Sequence, residues 1–124
     1  MIETDLDSEL RIAVHRASGE VTTQEILDAM NQWFGDPRFD AAIPVLWDFT
    51  DGMPMIVLSE IVALDYAFTN YVNEHRDRGR TAWVVTTGFG RALIDALYSE
   101  RSFAAEWRTF MRREEALEWL LDQP

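Results

Sequence analysis

Asp48 and Asp51 are the carboxylates best placed in this sequence to do chemistry, because they flank the end of an apolar run, Ile43 to Phe49, that reads as a buried strand. Two neighbouring acids whose pKa values are pushed apart can act as acid and base. Standing three apart across a strand end, however, the pair need not face each other. The favoured reading is structural: Asp48 bonds a nearby backbone N–H, and Asp51 opens the Asp51-Gly52 turn. The two histidines are far apart and lack acidic or thiol partners at metal-ligand spacing. His15 reads as a residue on the polar face of a half-exposed strand, and His75 as one near a helix end, where a cation is favoured. Gly88-Phe89-Gly90 lacks both the third glycine of the dinucleotide fingerprint and the Lys-Ser/Thr of the other phosphate loop. A turn into a helix accounts for its glycines. There is no Gly-x-Ser-x-Gly elbow and no cysteine, which removes thiolate nucleophiles, disulfides and sulfur-ligated zinc. The expectation is a chain that is not an enzyme and needs no cofactor or metal.

Two candidate binding regions remain. In open, mainly parallel sheets, ligands gather outside the carboxyl ends of the strands, close to helix N-termini. That rule assembles Thr50, Asp51, Ser59, Thr86, Thr87 and Gly88 into a candidate strand-end site for a small polar or anionic group, although Asp51 opposes an anion. The competing reading is that Ser59 and Thr87 cap the helices that follow, worth about 1 kcal/mol each. The second region is Met53-Pro-Met-Ile-Val-Leu58, six apolar residues in what reads as a connecting segment. Either it folds back over the sheet end as core, the favoured reading, or Met53, Met55 and Ile56 form an adaptable interaction patch. If exposed, those residues call for a cover, either another protein or a second copy in a symmetric homodimer.

Composition narrows the partners. The 124 residues carry 22 acids against 11 bases, a formal charge of −11, and are 48% hydrophobic with five Trp, seven Phe and three Tyr. Such a chain is folded rather than disordered, and its length fits one domain over residues 1–124. Net negative charge excludes nucleic acid as the expected partner and disfavours an anionic membrane surface. The basic cluster Arg76, Arg78 and Arg80, interleaved with Asp77, reads as a helix end complementing its dipole. No run is long enough to span a membrane, and the acidic start is unlike a signal peptide, so the cytoplasm is the expected location.

The elements that must position these residues follow from periodicity. Residues 1–6 suit a first strand, turned by Asp7-Ser8-Glu9. Leu10 to Ala17 alternates as a strand buried on one side, ended by Gly19. Thr22-Thr23-Gln24-Glu25 has the form of a capping box before a helix with Ile26, Met30 and Trp33 on one stripe, stopped by Gly35-Asp36-Pro37. Ile43–Phe49 and Thr81–Thr86 read as central strands. Between them lies a long helix, 60 to about 77, capped by Ser59 and ended by Gly79, with Ile61, Leu64, Phe68, Tyr71, Val72 and His75 on one face. Gly88-Phe89-Gly90 turns into a helix carrying Phe89, Leu93, Ile94 and Leu97. A strand over about 107–111 and a helix over 114–121 complete the chain. The order β-β-α-β-α-β-α-β-α implies a single α/β domain with a mixed, mainly parallel sheet of about five strands covered by helices.

This order and the local sequence resemble the STAS-like families built on the anti-sigma-factor-antagonist fold, in particular the SpoIIAA-like group. The matching pieces are Gly19-Glu-Val-Thr-Thr23, Trp33-Phe34 with Asp36-Pro-Arg-Phe-Asp40, Val45-Leu-Trp-Asp-Phe49, Ala82-Trp-Val-Val85, Gly90-Arg-Ala-Leu93, and Phe110 with Glu115-Ala-Leu-Glu-Trp-Leu120. They span nearly the whole chain. The resemblance implies a regulatory or protein-interaction module. Two alternatives are a domain holding a small apolar or lipid-like ligand between helices and sheet, and an enzyme using the strand-end carboxylates. Regulatory members carry a phosphorylatable Ser, in an Asp-Ser-Ser-Gly setting, where the helix after the first central strand begins. Ser59 stands near that place, without the neighbouring Asp and Gly.

Overall fold

The apolar run after Pro44 becomes the middle strand of a five-stranded sheet, flanked on both sides in simple chain order. The computed structural model describes residues 1–74, 79–98 and 107–122. Along the chain come β1 (Ile2–Asp7), β2 (Ile12–Thr22), α1 (Thr23–Phe34), β3 (Val45–Met55), α2 (Leu58–Glu74), β4 (Thr81–Val85), α3 (Gly88–Tyr98), β5 (Trp107–Phe110) and α4 (Arg113–Leu121). β1 is antiparallel to β2, and every later neighbouring pair is parallel. Expectations that fall on His75, Arg76, Asp77 and Arg78, and on the side chains of Ile61, Phe68, Tyr71, Val72 and Leu97, lie outside the described residues.

Strand order decides which face each helix covers. Each crossover from β2 to β5 moves one strand in the same direction, so right-handed connections put all the crossover helices on one face. On that face Ile26, Met30, Leu64 and Ile94 of α1, α2 and α3 pack with Trp47, Phe49 and Trp83. α4 follows the last strand and takes the other face, where Ala116 and Leu120 meet Ile12, Val14, Leu46 and Val84. The start of α1 follows from local chemistry. The Thr22 hydroxyl accepts the Glu25 N–H at 3.2 Å while the Glu25 carboxylate accepts the Thr22 N–H at 3.2 Å, the reciprocal capping box.

Several sequence expectations change in the sheet. β2 is buried on both faces over Ile12–His15 rather than on one, because β1 moves it off the edge and helices cover both sides. Gly19 does not end it. With φ +67 it bends the strand, which continues to Thr22 and pairs Glu20, Val21 and Thr22 with Met53, Pro54 and Met55. Met53–Met55 is therefore strand, not loop. β4 pairs β3 only from Val45 to Phe49, so Pro54 sits where β3 is paired on the β2 side alone, an edge-like place that tolerates proline. Arg80 does not close α2. Its guanidinium donates to the Trp119 and Asp122 carbonyls at 2.7 and 2.8 Å and lies over the Trp119 ring, so it caps α4, whose last turn has no base of its own. Phe89 is exposed. Among the described residues no helix is long and apolar enough to cross a membrane.

One register row crosses the sheet. Thr4, His15, Trp47, Trp83 and Thr109 are successive partners on the five strands. His15 stacks on Trp47 with ring centroids 4.0 Å apart, and Trp47 stacks on Trp83 at 4.7 Å, nearly parallel. The Thr4 hydroxyl meets His15 Nδ1 at 2.8 Å. His15 is 1% exposed, not half-exposed as its alternation suggests, and burial lowers its pKa from 6.5 to about 3.

The native chain therefore refuses a proton that the unfolded chain binds. Stability is full above pH 6.5 and falls as the pH drops from 6.5 toward 3, by about 1.4 kcal/mol per unit for this one group. Urea unfolding at pH 7.5, 6.5 and 5.5 should show that loss, and His15→Phe should flatten it over the same window. An equal slope in the variant would assign the loss to other groups.

Candidate functional site

The six strand-end residues separate into three places. Thr50 and Asp51 are not at the end of β3, which runs on to Met55. They sit at a bulge, where the register changes from Arg16 opposite Asp48 to Ser18 opposite Asp51. The extra residue in β3 turns both side chains toward the α4 face. There they line a cleft of about 400 Å³ with Arg16, Asp48, Arg112 and Arg113. Charged side chains dominate its walls, so the cleft does not offer the apolar chamber that a lipid-like ligand would need.

Asp48 is 4% exposed at the floor of this cleft. One carboxylate oxygen accepts the Thr50 N–H at 3.0 Å and the Thr50 hydroxyl, and the other accepts Arg113 Nη1 at 2.8 Å. Burial alone would raise its pKa. The Thr50 hydroxyl and amide, with the Arg113 guanidinium, outweigh burial and hold the carboxyl below its usual value. An acid–base pair needs its two acids pushed apart, one of them protonated near neutral pH. Asp48 is instead a locked anion that ties α4 to β3, close to the structural reading of its position.

Thr86, Thr87 and Gly88 join β4 to α3. The Thr87 hydroxyl accepts the Gly90 N–H at 3.0 Å, which serves the open start of α3, and lies 3.7 Å from Met53 Sδ. A Cβ on Gly90 would come within 2.5 Å of Val85 Cγ1, so glycine there is a packing requirement and not a phosphate loop. Ser59 does not cap α2. The helix begins at Leu58, with the Glu60 N–H bonded to the Val57 carbonyl at 2.8 Å, and Ser59 stands exposed in the first turn.

The Met53–Leu58 segment divides by extended-chain alternation, which carries past the end of β3. Pro54 and Ile56 point inward, and Met55 and Val57 outward. Ile56, at 7% exposure, is a core residue and not part of an exposed patch, and Met53 is half-buried. The exposed apolar surface lies further on: Val62 and Tyr66 on α2 are 71% and 70% exposed, and Phe89 heads α3. Val62 and Tyr66 follow from the helix pattern, which already set Leu64 on the inward face of α2. Leu64 is fully buried, and residues two positions either side of it on a helix face almost directly away from it. Among the described residues no group of His, Cys, Asp and Glu could hold a metal ion.

The Asp48–Arg113 tie has a measurable weight. Asp48→Ala and Arg113→Ala should each cost about 2 kcal/mol, and the double variant should cost less than their sum, because each single change strands its partner. With its folded pKa depressed, Asp48 contributes stability above its unfolded pKa of about 3.8, lost as the pH falls through the lower folded value. Arg113→Ala should weaken that dependence. Strict additivity in the unfolding cycle would show that the pair is not coupled.

No family model matches the chain, and no curated protein matches it. Solved structures do. The chain is similar to an uncharacterized protein of the DUF3478 family with a SpoIIAA-like fold from Shewanella loihica PV-4, at 16% identity and a TM-score of 0.58, over 97% of this chain and 92% of that one. It is similar as well to the anti-sigma factor antagonist SpoIIAA in its unphosphorylated form, at 15% identity and a TM-score of 0.62, over 99% of this chain and 100% of that one. A mixed sheet in simple chain order, with its crossover helices on one face and α4 on the other, matched over nearly the full length of both chains, is the SpoIIAA-like fold.

Proposed function

We propose that this chain is a non-catalytic regulatory module that works by binding another protein over the shoulder where β3 enters α2 and along the outward face of α2. The observation that carries the reading is the composition of that face. Ser59, Val62, Ala63, Tyr66 and Asn70 are exposed and uncharged, and the exposed acids described on α2, Glu60 and Glu74, stand near its two ends. A surface helix ordinarily turns charged residues to water, and a helix apolar on both sides is one that something covers. Met55 and Val57, both exposed, lead into it.

The fold supports a binding role over a chemical one. SpoIIAA, which shares it, is an anti-sigma factor antagonist, and the similar structure is that of its unphosphorylated form. Ser59 occupies the first turn of the corresponding helix here. The surrounding Asp-Ser-Ser-Gly pattern is missing, and Glu60 already supplies a negative charge beside it. In this reading, docking is constitutive and does not depend on a phosphate at Ser59.

Affinity capture from the source cell should therefore recover the same partner with wild type, Ser59→Ala and Ser59→Asp. Val62→Asp and Tyr66→Asp should lose it while the melting temperature shifts by no more than about 2 °C, as expected of exposed positions. Retention of the partner by both α2 variants would refute the proposed face. Different partners for Ser59→Ala and Ser59→Asp would restore a switch.

A further inference from the structure

Resting on the reading of α2 as a docking face, we infer that the segment it accepts is a basic amphipathic helix of a partner protein, apolar on one side and rimmed by Arg or Lys. The inference comes from how charge is distributed over the two sides of the sheet. The chain contains no lysine, so every fixed cation is an arginine. On the side of the three crossover helices, α1 carries Glu25 and Asp28, α2 carries Glu60, Asp65 and Glu74, and α3 carries Asp95. The only base in those helices is Arg91; Arg76 and Arg78 follow α2 outside the described residues.

Five of the eleven arginines lie on the opposite side, where α4 also carries Glu114, Glu115 and Glu118. Arg16, Arg112 and Arg113 line the cleft beside α4, and Arg80 and Arg108 lie over Trp119 of α4. The helix that carries Val62 and Tyr66 thus contains acids and no base. Complementary potentials steer encounter and fix register, and like charges across an interface repel. A second copy of this chain would set acid against acid over the same stripe, and its own net charge of −11 adds repulsion. An anionic lipid surface meets the same objection. A helix with Leu or Phe at i, i+3 and i+4 and cations on its flanks satisfies both features at once.

The test uses the full chain and three synthetic peptides of about 18 residues, long enough to hold a helix on binding. The first has a leucine face flanked by Lys and Arg, the second replaces each base with Glu, and the third scrambles the basic sequence at equal charge. The first should bind, shift the amide resonances of Val62, Ala63 and Tyr66, and weaken with salt. Val62→Asp and Tyr66→Asp should each weaken it by at least about tenfold, the loss expected at the centre of an interface. Equal binding by the scrambled peptide would reduce the effect to bulk charge attraction and overturn the inference. So would binding by the acidic peptide, shifts confined to the α4 side, concentration-dependent dimerisation abolished by Tyr66→Asp, or equal shifts with phosphatidylcholine vesicles. If the peptides fail while the α2 variants still lose a captured partner, the docking face stands and only the partner's chemistry is wrong.

Discussion

His15, Trp47 and Trp83 stand at one level of three adjacent parallel strands, and their stacking fixes much else in the molecule. A one-residue slip in either strand pair would send every side chain of that strand to the opposite face. Rings held at 4.0 and 4.7 Å resist such a slip more strongly than aliphatic side chains of similar volume, because stacked aromatics add a geometric preference to burial. Phe49 and Trp83 extend the same layer toward the carboxyl ends, beneath the crossover helices. The imidazole is tolerated in the row because it stays neutral and finds the Thr4 hydroxyl on the edge strand. That single bond links β1 to a row that otherwise depends on apolar contact.

With the register set, the two faces of the sheet take different work. Among the crossover helices, α2 turns uncharged residues outward, and the charges of the three helices are almost all acids. The α4 face holds five of the arginines and engages three of them internally: Arg113 with Asp48, Arg80 with the carbonyls that end α4, and Arg80 and Arg108 with the Trp119 ring. α4 is only nine residues long, so its attachment draws on these polar ties as well as on Ala116 and Leu120. The bulge at Thr50 belongs to the same arrangement, since it brings the Thr50 amide and hydroxyl onto the Asp48 carboxylate and leaves that anion satisfied despite burial.

The element order, the capping box at Thr22, the central places of β3 and β4 and the resemblance to the SpoIIAA-like fold were all legible in the sequence. Each rests on a local signal, whether a period of 3.6 or 2, a capping residue at its fixed offset, or a continuous apolar run. What the sequence could not report was which face a given side chain would occupy once strands and helices met. His15 lies in an alternating run that reads as half-exposed, and it is buried only because β1 pairs beside it. Met53–Met55 reads as a loop, and it is strand only because β2 continues past Gly19 to receive it. Thr50 and Asp51 read as a strand end, and a bulge opposite β2 aims them at a cleft. Val62 and Tyr66 lie off the face through Leu64 that the helix pattern turns inward, yet the pattern alone does not say whether another element covers them. Leu64 packs into the aromatic layer as that pattern requires, and Val62 and Tyr66 are left to solvent. Local preference is a property of neighbours along the chain, and it determined the elements; facing and exposure are set by contacts between residues far apart in sequence, and only the tertiary structure decided them.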